Sequence, residues 1–182
     1  MKISKKRIDI LIIFVIFILI ETISIASYQS AVYEETEEIN KKLANRLTME
    51  KEEVVLNKEE EKALYLINEF RQANGLDELK VVFKLQEVAR KKAEDIVNNE
   101  YFSHTSPNLG TPFNMLQSNG IDYKIAGENL AGNTTVPRAI RAWINSKSHR
   151  ENILEEQYEY TGICVIESEK YGRVFVQLFM GI

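Results

Sequence analysis

The chain has 182 residues, 45% of them hydrophobic, with 27 acidic and 23 basic side chains and a net charge of −4. That length allows about one domain plus an appendage, and the mild acidic balance gives no support for a nucleic-acid partner, which ordinarily meets a basic face. Cys164 is the only cysteine, so no intramolecular disulfide can form, and in the run Thr161-Gly162-Ile163-Cys164-Val165-Ile166 it reads as a small buried hydrophobe rather than a reactive thiol.

At the amino terminus Lys2, Lys5, Lys6 and Arg7 precede an uninterrupted apolar run from Ile10 to Ile20. This is the order of a secretory signal or a single-span anchor. The run alone covers about half of the ~30 Å hydrocarbon core as a helix, so spanning needs residues to Ala26 and the acceptance of Glu21. The aliphatic and Phe residues between Ile8 and Ile25 each favour insertion by roughly 0.3 to 0.6 kcal/mol, which together exceeds the ~3 kcal/mol cost of one carboxylate. Ser24-Ile25-Ala26 also offers the small residues of a signal-peptidase site, so residues 1–28 are either a membrane anchor or a signal peptide. In both cases the basic residues stay inside and the remainder is exported, to the cell surface or the medium.

From Glu34 to Lys62 the chain is dominated by Glu, Lys, Asn and Arg, with Ile39, Leu43 and Leu47 as a thin apolar stripe. Such a stripe cannot bury a core, so residues 29–56 read as a solvated helical stalk, with a coiled-coil dimer as the alternative. A domain covering 57–182 begins at Asn57, whose side chain can cap a helix with Glu60 three residues on.

Helical periodicity predicts a first domain helix over 58–74, with Ala63, Leu66, Ile67 and Phe70 on one face and Gly75 at its end. A second, over 84–99, repeats the pattern with Leu85, Val88, Ala89, Ala93 and Ile96. A shorter one covers Pro112 to Ser118. Another starts near Thr135, carries Pro137 in its first turn, and buries Val136, Ile140, Trp143 and Ile144. The period then changes: Tyr160 to Glu167 and Arg173 to Phe179 are rich in β-branched and aromatic residues and read as a hairpin across Ser168-Glu169-Lys170-Tyr171-Gly172. Leu79 to Phe83 offers a further strand. The predicted class is α+β, helices layered on a small antiparallel sheet.

The only two histidines lie in compact polar motifs, Ser103-His104-Thr105-Ser106-Pro107 and Ser148-His149-Arg150-Glu151-Asn152-Ile153-Leu154. Between them falls Gly127-Glu128-Asn129-Leu130, which reads as a turn. Histidine works as donor, acceptor or metal ligand near neutral pH, so one shared polar site is the sharper reading. The plainer reading is a hydrogen-bonded cluster pinning loops over the sheet, with Asn129 and Asn152 satisfying nearby backbone groups. No His-Glu-x-x-His helix or paired-cysteine zinc frame is present.

Taken in order, Tyr101-Phe102-Ser103-His104, Gly127-Glu128-Asn129-Leu130-Ala131, Ala142-Trp143-Ile144-Asn145-Ser146 leading to His149-Arg150-Glu151-Asn152-Ile153-Leu154, Thr161-Gly162-Ile163-Cys164-Val165 and Val176-Gln177-Leu178-Phe179 resemble the bacterial branch of the CAP superfamily. This is the SCP-like domain of cysteine-rich secretory proteins, antigen 5 and pathogenesis-related 1 proteins, and the resemblance spans about 60–182. It implies an extracellular α-β-α sandwich whose cleft is lined by two histidines and two acidic residues and holds a divalent metal in some members. His104, Glu128 and His149 match three of those positions, while Ser146 stands where the other acid is expected.

Two imidazoles and one carboxylate suffice to ligate zinc with an open water position, but the missing carboxylate removes the obvious second general base. The resemblance therefore implies first a binding module, taking a divalent metal such as zinc through His104, Glu128 and His149 and a lipid, peptidoglycan-associated or protein partner. The alternative is a secreted, protease-like hydrolase, serine- or metal-dependent, using Glu128, His149, His104 and Ser103. Ser106, Ser146 and Ser148 are its further candidate nucleophiles, and no nucleophile elbow singles one out.

Overall fold

The computed structural model describes the backbone of residues 5–51 and 53–182, and the side chains of residues 21–44, 46–47 and 53–182. The chain divides into two compact units, Met1–Leu47 and Thr48–Ile182. Helix α1 (Lys5–Lys51) runs without a break across the 28/29 boundary expected between anchor and stalk. Ile39, Leu43 and Leu47 are each more than half exposed, as a stripe too thin to bury a core should be. Among the described residues no helix is long and apolar enough to cross a membrane. The side chains of Ile10–Ile20, on which the anchor-or-signal expectation rests, lie outside the described residues.

The second unit contains α2 (Lys58–Ala73), β1 (Lys80–Val81), α3 (Phe83–Asn98), α4 (Pro112–Ser118), β2 (Ile125–Asn133), α5 (Val136–Asn145), α6 (Lys147–Ile153), β3 (Tyr160–Ser168) and β4 (Gly172–Gly181). The expected cap opens α2: Asn57 Oδ1 accepts from the backbone of Glu59 at 2.9 Å and Glu60 at 3.0 Å, and the Glu60 carboxylate accepts from Asn57 N at 2.9 Å. The sheet order is β1-β3-β4-β2. Pairing is antiparallel except for β1, which runs parallel to β3, so the sheet is mixed rather than wholly antiparallel.

Strand β4 shows why helices cover both faces. Val174, Val176, Leu178 and Met180 pack with Leu85, Val88, Ala89, Ala93 and Ile96 of α3 and Met115 and Leu116 of α4. Phe175 and Phe179, on the opposite face, pack with Ala63 and Ile67 of α2, Ile140 and Trp143 of α5 and Ile153 of α6. Both sets are apolar, so both faces must be buried, and an α-β-α sandwich results. Helix α3 lies directly on β3 because Gly162 has no side chain; a Cβ there would stand 2.3 Å from the Leu85 carbonyl oxygen.

Side chains stop both open edges of the sheet. Beyond the short β1, Gln86 bonds both the N–H and the carbonyl of Ile163 at 2.8 Å, and Glu60 accepts from Val165 N at 3.3 Å. On β2, the carbonyls of Glu128 and Leu130 accept from Asn152 Nδ2 at 3.2 Å and Trp143 Nε1 at 2.9 Å. An edge engaged in this way offers less backbone to a foreign strand.

Two elements differ from the sequence expectation. The Gly127-Glu128-Asn129-Leu130 motif is not a turn; it lies inside edge strand β2, fully paired with β4. The segment Ser148–Ile153, read only as a polar motif, belongs to the two-turn helix α6.

Candidate functional site

The site is built across edge strand β2. Leu130 packs with the α3 and α4 side of the sheet and Ala131 with the α5 and α6 side, so by strand alternation Glu128 faces the first layer and Asn129 the second. His104 comes from a hairpin after α3, closed by two backbone bonds between Ser106 and Gly110 at 2.8 and 3.1 Å. His149 comes from α6 on the other side. The two motif histidines thus meet neighbouring residues of the edge strand, His104 at Glu128 and His149, through its carbonyl, at Asn129.

There, His104 Nδ1 lies 2.6 Å from Glu128 Oε1. The two ends of this bond differ sharply: the imidazole side chain is 56% exposed, the carboxylate 2%. The second carboxylate oxygen, Glu128 Oε2, is buried and has no hydrogen-bond partner. A buried carboxylate oxygen without a donor is costly, and such exceptions mark places where a missing partner belongs.

Buried polar groups of helix α3 bond the His104 hairpin. Lys92, with 0% exposure, donates from Nζ to Tyr101 Oη at 3.1 Å and to the carbonyls of Ser103 and His104 at 2.9 Å each. Asp95 accepts from Ser106 Oγ at 2.6 Å, Asn108 Nδ2 at 3.1 Å and Asn99 Nδ2 at 2.9 Å, and also from Tyr101 Oη. Burial raises the Asp95 pKa, but the bonds from Ser106, Tyr101 and Asn108 and the charge of Lys92 outweigh it and hold the carboxyl below its usual value. Sequence reasoning missed Lys92, Asp95 and Tyr101. One signal was available: Lys92 continues the α3 stripe Leu85, Val88, Ala89, and a charge on an apolar face is an anomaly worth pursuing.

On the other side, Asn129 Nδ2 donates to the His149 carbonyl at 3.0 Å, and Asn152 Nδ2 donates to Asn129 Oδ1 at 2.9 Å and to the Glu128 carbonyl. Gly127 lets this layer close on the strand, since a Cβ there would stand 2.5 Å from Tyr158 Oη and 3.2 Å from Asn152 Oδ1. Arg71, also missed, is 1% exposed and donates to the carbonyls of Asp77, Ile153, Glu155 and Tyr158, pinning the end of α6. Partial burial lowers the His149 pKa, and the nearby His104 imidazole lowers it further.

The structure therefore brings His104 and Glu128 into contact, while His149 reaches the strand through its backbone carbonyl, on Asn129. In kind, the donor set suits zinc. In arrangement it is a hydrogen-bonded pair, with His104 Nδ1 turned to the carboxylate, and among the described residues no three His, Cys, Asp or Glu side chains gather to hold an ion.

The candidate nucleophiles are occupied elsewhere. Ser103 Oγ accepts from Thr105 N at 3.2 Å. Ser106 Oγ, besides its bond to Asp95, accepts from the backbone of Asn108 at 3.0 Å and Leu109 at 2.8 Å. Ser146 and Ser148 lie 3.4 Å apart, oxygen to oxygen. None of these four hydroxyls bonds an imidazole, which a serine nucleophile activated by histidine requires.

Comparison with known proteins places this architecture. A family model described as the Cysteine-rich secretory protein family, CAP, matches residues 64–179. The uncharacterized protein YkwD of Bacillus subtilis (strain 168) is 42% identical over 123 residues, covering 67% of this chain and 47% of YkwD; the chain thus spans about half the length of that relative. A crystal structure of an extracellular protein containing a SCP domain from Bacillus anthracis is similar with a TM-score of 0.63 and 28% identity, over 71% of this chain and 45% of that one. An outer surface protein from Borrelia burgdorferi is similar with a TM-score of 0.63 and 27% identity, over 70% of this chain and 96% of that one.

Proposed function

The chain belongs to the cysteine-rich secretory protein (CAP) family, and from that premise we propose that it is an extracytoplasmic binding module whose receptive atom is Glu128 Oε2. The observation that carries this reading is the buried, donorless oxygen beside a half-exposed imidazole. A ligand offering an N–H or O–H to Oε2, with His104 Nε2 available at the rim, would supply the bond the fold leaves unmade. Its source would be a lipid headgroup, a peptidoglycan-associated group or a partner protein outside the membrane. The extracellular and outer-surface relatives and the basic residues ahead of the Ile10–Ile20 run support that location.

A divalent cation such as zinc is the second reading. The same orphaned oxygen favours it. Metal binding would need His149 to close on the pair, and would depend on both histidines.

Binding rather than turnover is supported by the four serine hydroxyls, none of which bonds an imidazole, and by Ser146 in the family's other acidic position. The test is a thermal-shift comparison of wild type and Glu128→Gln with zinc chloride, N-acetylglucosamine oligomers and phospholipid vesicles, beside casein and ester turnover assays. A ligand at about 100 times its Kd stabilises the folded form by about 2.7 kcal/mol, a shift of several degrees. The reading expects at least one such shift in wild type, lost in Glu128→Gln, and no turnover. Shifts that survive Glu128→Gln, or turnover lost on Ser103→Ala with the fold intact, would contradict it. Zinc stabilisation lost in both His104→Ala and His149→Ala would select the metal reading.

A further inference from the structure

We propose that Lys92 and Asp95 are positioning residues, a buried charged strut that holds the His104 hairpin at the height where its imidazole meets Glu128. The inference rests on the reading of that pair as a binding site, but it concerns residues that touch no ligand.

Lys92 and Asp95 are three residues apart on α3 and so share one helix face. Lys92 spends all three of its ammonium protons on one stretch of chain, Tyr101 Oη and the carbonyls of Ser103 and His104. Asp95 grips the same hairpin two and four residues past the histidine, at Ser106 and Asn108. The cation therefore fixes the backbone of His104 itself and the anion fixes the closing turn. Tyr101 bridges the two, donating to Asp95 and accepting from Lys92.

The approach to the hairpin is constrained as well. Glu100 holds φ at +52°, the only described non-glycine residue in the left-handed region, and its carbonyl is held by Lys170 Nζ at 2.9 Å. Such backbone is strained and persists where its surroundings enforce it. Here it turns the chain so that Tyr101 enters the strut while His104 emerges above it.

Loop closure alone does not need ions. Apolar replacements of buried ion pairs are often neutral or stabilising, so stability gives little reason to bury an ammonium and a carboxylate here. Hydrogen-bonded ions supply direction, a fixed orientation for the segment they hold. Burial lowers the Lys92 pKa, and the charges of Glu128 and Asp95 oppose that shift.

The chain's two histidines make the test direct. With ¹⁵N-labelled histidine in the full chain and no ligand present, the wild-type spectrum should show His104 with a protonated Nδ1 and a downfield, slowly exchanging proton shared with Glu128. In folded Lys92→Met that proton should be lost and the His104 ring should move toward the Nε2–H form of a free imidazole, while His149 keeps its signals. Asp95→Asn should weaken the same signature. Should Lys92→Met fail to fold, Asp95→Asn and Tyr101→Phe decide the matter by the same readout. An unchanged His104 signature in the folded variants overturns the proposal. Because nothing is bound in this experiment, positioning can fail while the thermal-shift test of binding succeeds, and the reverse.

Discussion

Glu128 and His104 owe their pairing to residues that the sequence does not mark as functional. The types and order of His104, Glu128 and His149 are legible because histidine is scarce and each lies in a short polar motif. The strut is only faintly legible: Lys92 continues the apolar stripe of α3, but the other charged residues of that helix mostly face solvent, and only the fold shows that Lys92 and Asp95 are buried. Linkage gives one prediction here. Asp95 titrates lower folded than unfolded, so its contribution to stability is complete above the ordinary carboxylate range, near about pH 4, and is lost as pH falls through the depressed folded value. The difference in unfolding free energy between wild type and Asp95→Asn, measured with urea, should therefore shrink from about pH 7 toward about pH 3. A second concerns Cys164, whose thiol is buried and pushed up to about 12, by burial first and then by the charge of Glu60. Iodoacetamide at about pH 8 should leave it unmodified in the native chain and alkylate it in urea, since only the thiolate reacts.

Among the elements, the helices and the β3–β4 hairpin are readable because their apolar periods are clean. Strand β2 is not. Its sequence, Ile-Ala-Gly-Glu-Asn-Leu-Ala-Gly-Asn, is poor in β-branched residues and rich in Gly and Asn, so intrinsic preference argues for a turn. Tertiary context overrides it: β4 supplies the ladder, Asn152 and Trp143 engage the outer carbonyls, and Gly127 leaves room for Tyr158. Helix α6 escapes notice because only Ile153 of its seven residues is buried and no side chain caps its start, whereas the equally short α4 carries Pro112 in its first turn and buries Met115 and Leu116. Two glycine substitutions follow. Gly127→Ala forces a Cβ against the tip of Tyr158, which can yield, and should cost about 1 to 3 kcal/mol. Gly162→Ala forces it against the backbone of Leu85, which cannot yield without lifting α3, and should cost more. Urea midpoints that rank the two in the opposite order would refute this packing account.

At the scale of the whole molecule, the α+β class was legible from helical periods followed by the β3–β4 hairpin, and the α-β-α sandwich only through the ordered family motifs. The parallel β1 was readable only as a strand, since two residues carry no sign of direction. The unit from Thr48 to Ile182 has its own core on both faces of the sheet, so residues 53–182 expressed alone should melt within a few degrees of the full chain; a fragment unfolded at 25 °C would contradict its independence. Protease added to intact, wall-stripped cells should digest this unit while cytosolic controls survive, and its complete protection would overturn export. The receptive oxygen on the edge strand is the centre of the account, and an atomic-resolution crystal structure of the domain tests it most directly. The account predicts His104 Nδ1 on Glu128 Oε1, with Oε2 met by an ordered water or a bound donor group. Lys92 Nζ or any other protein donor seated on Oε2 would contradict it, because the site would then have no unmade bond to offer a ligand.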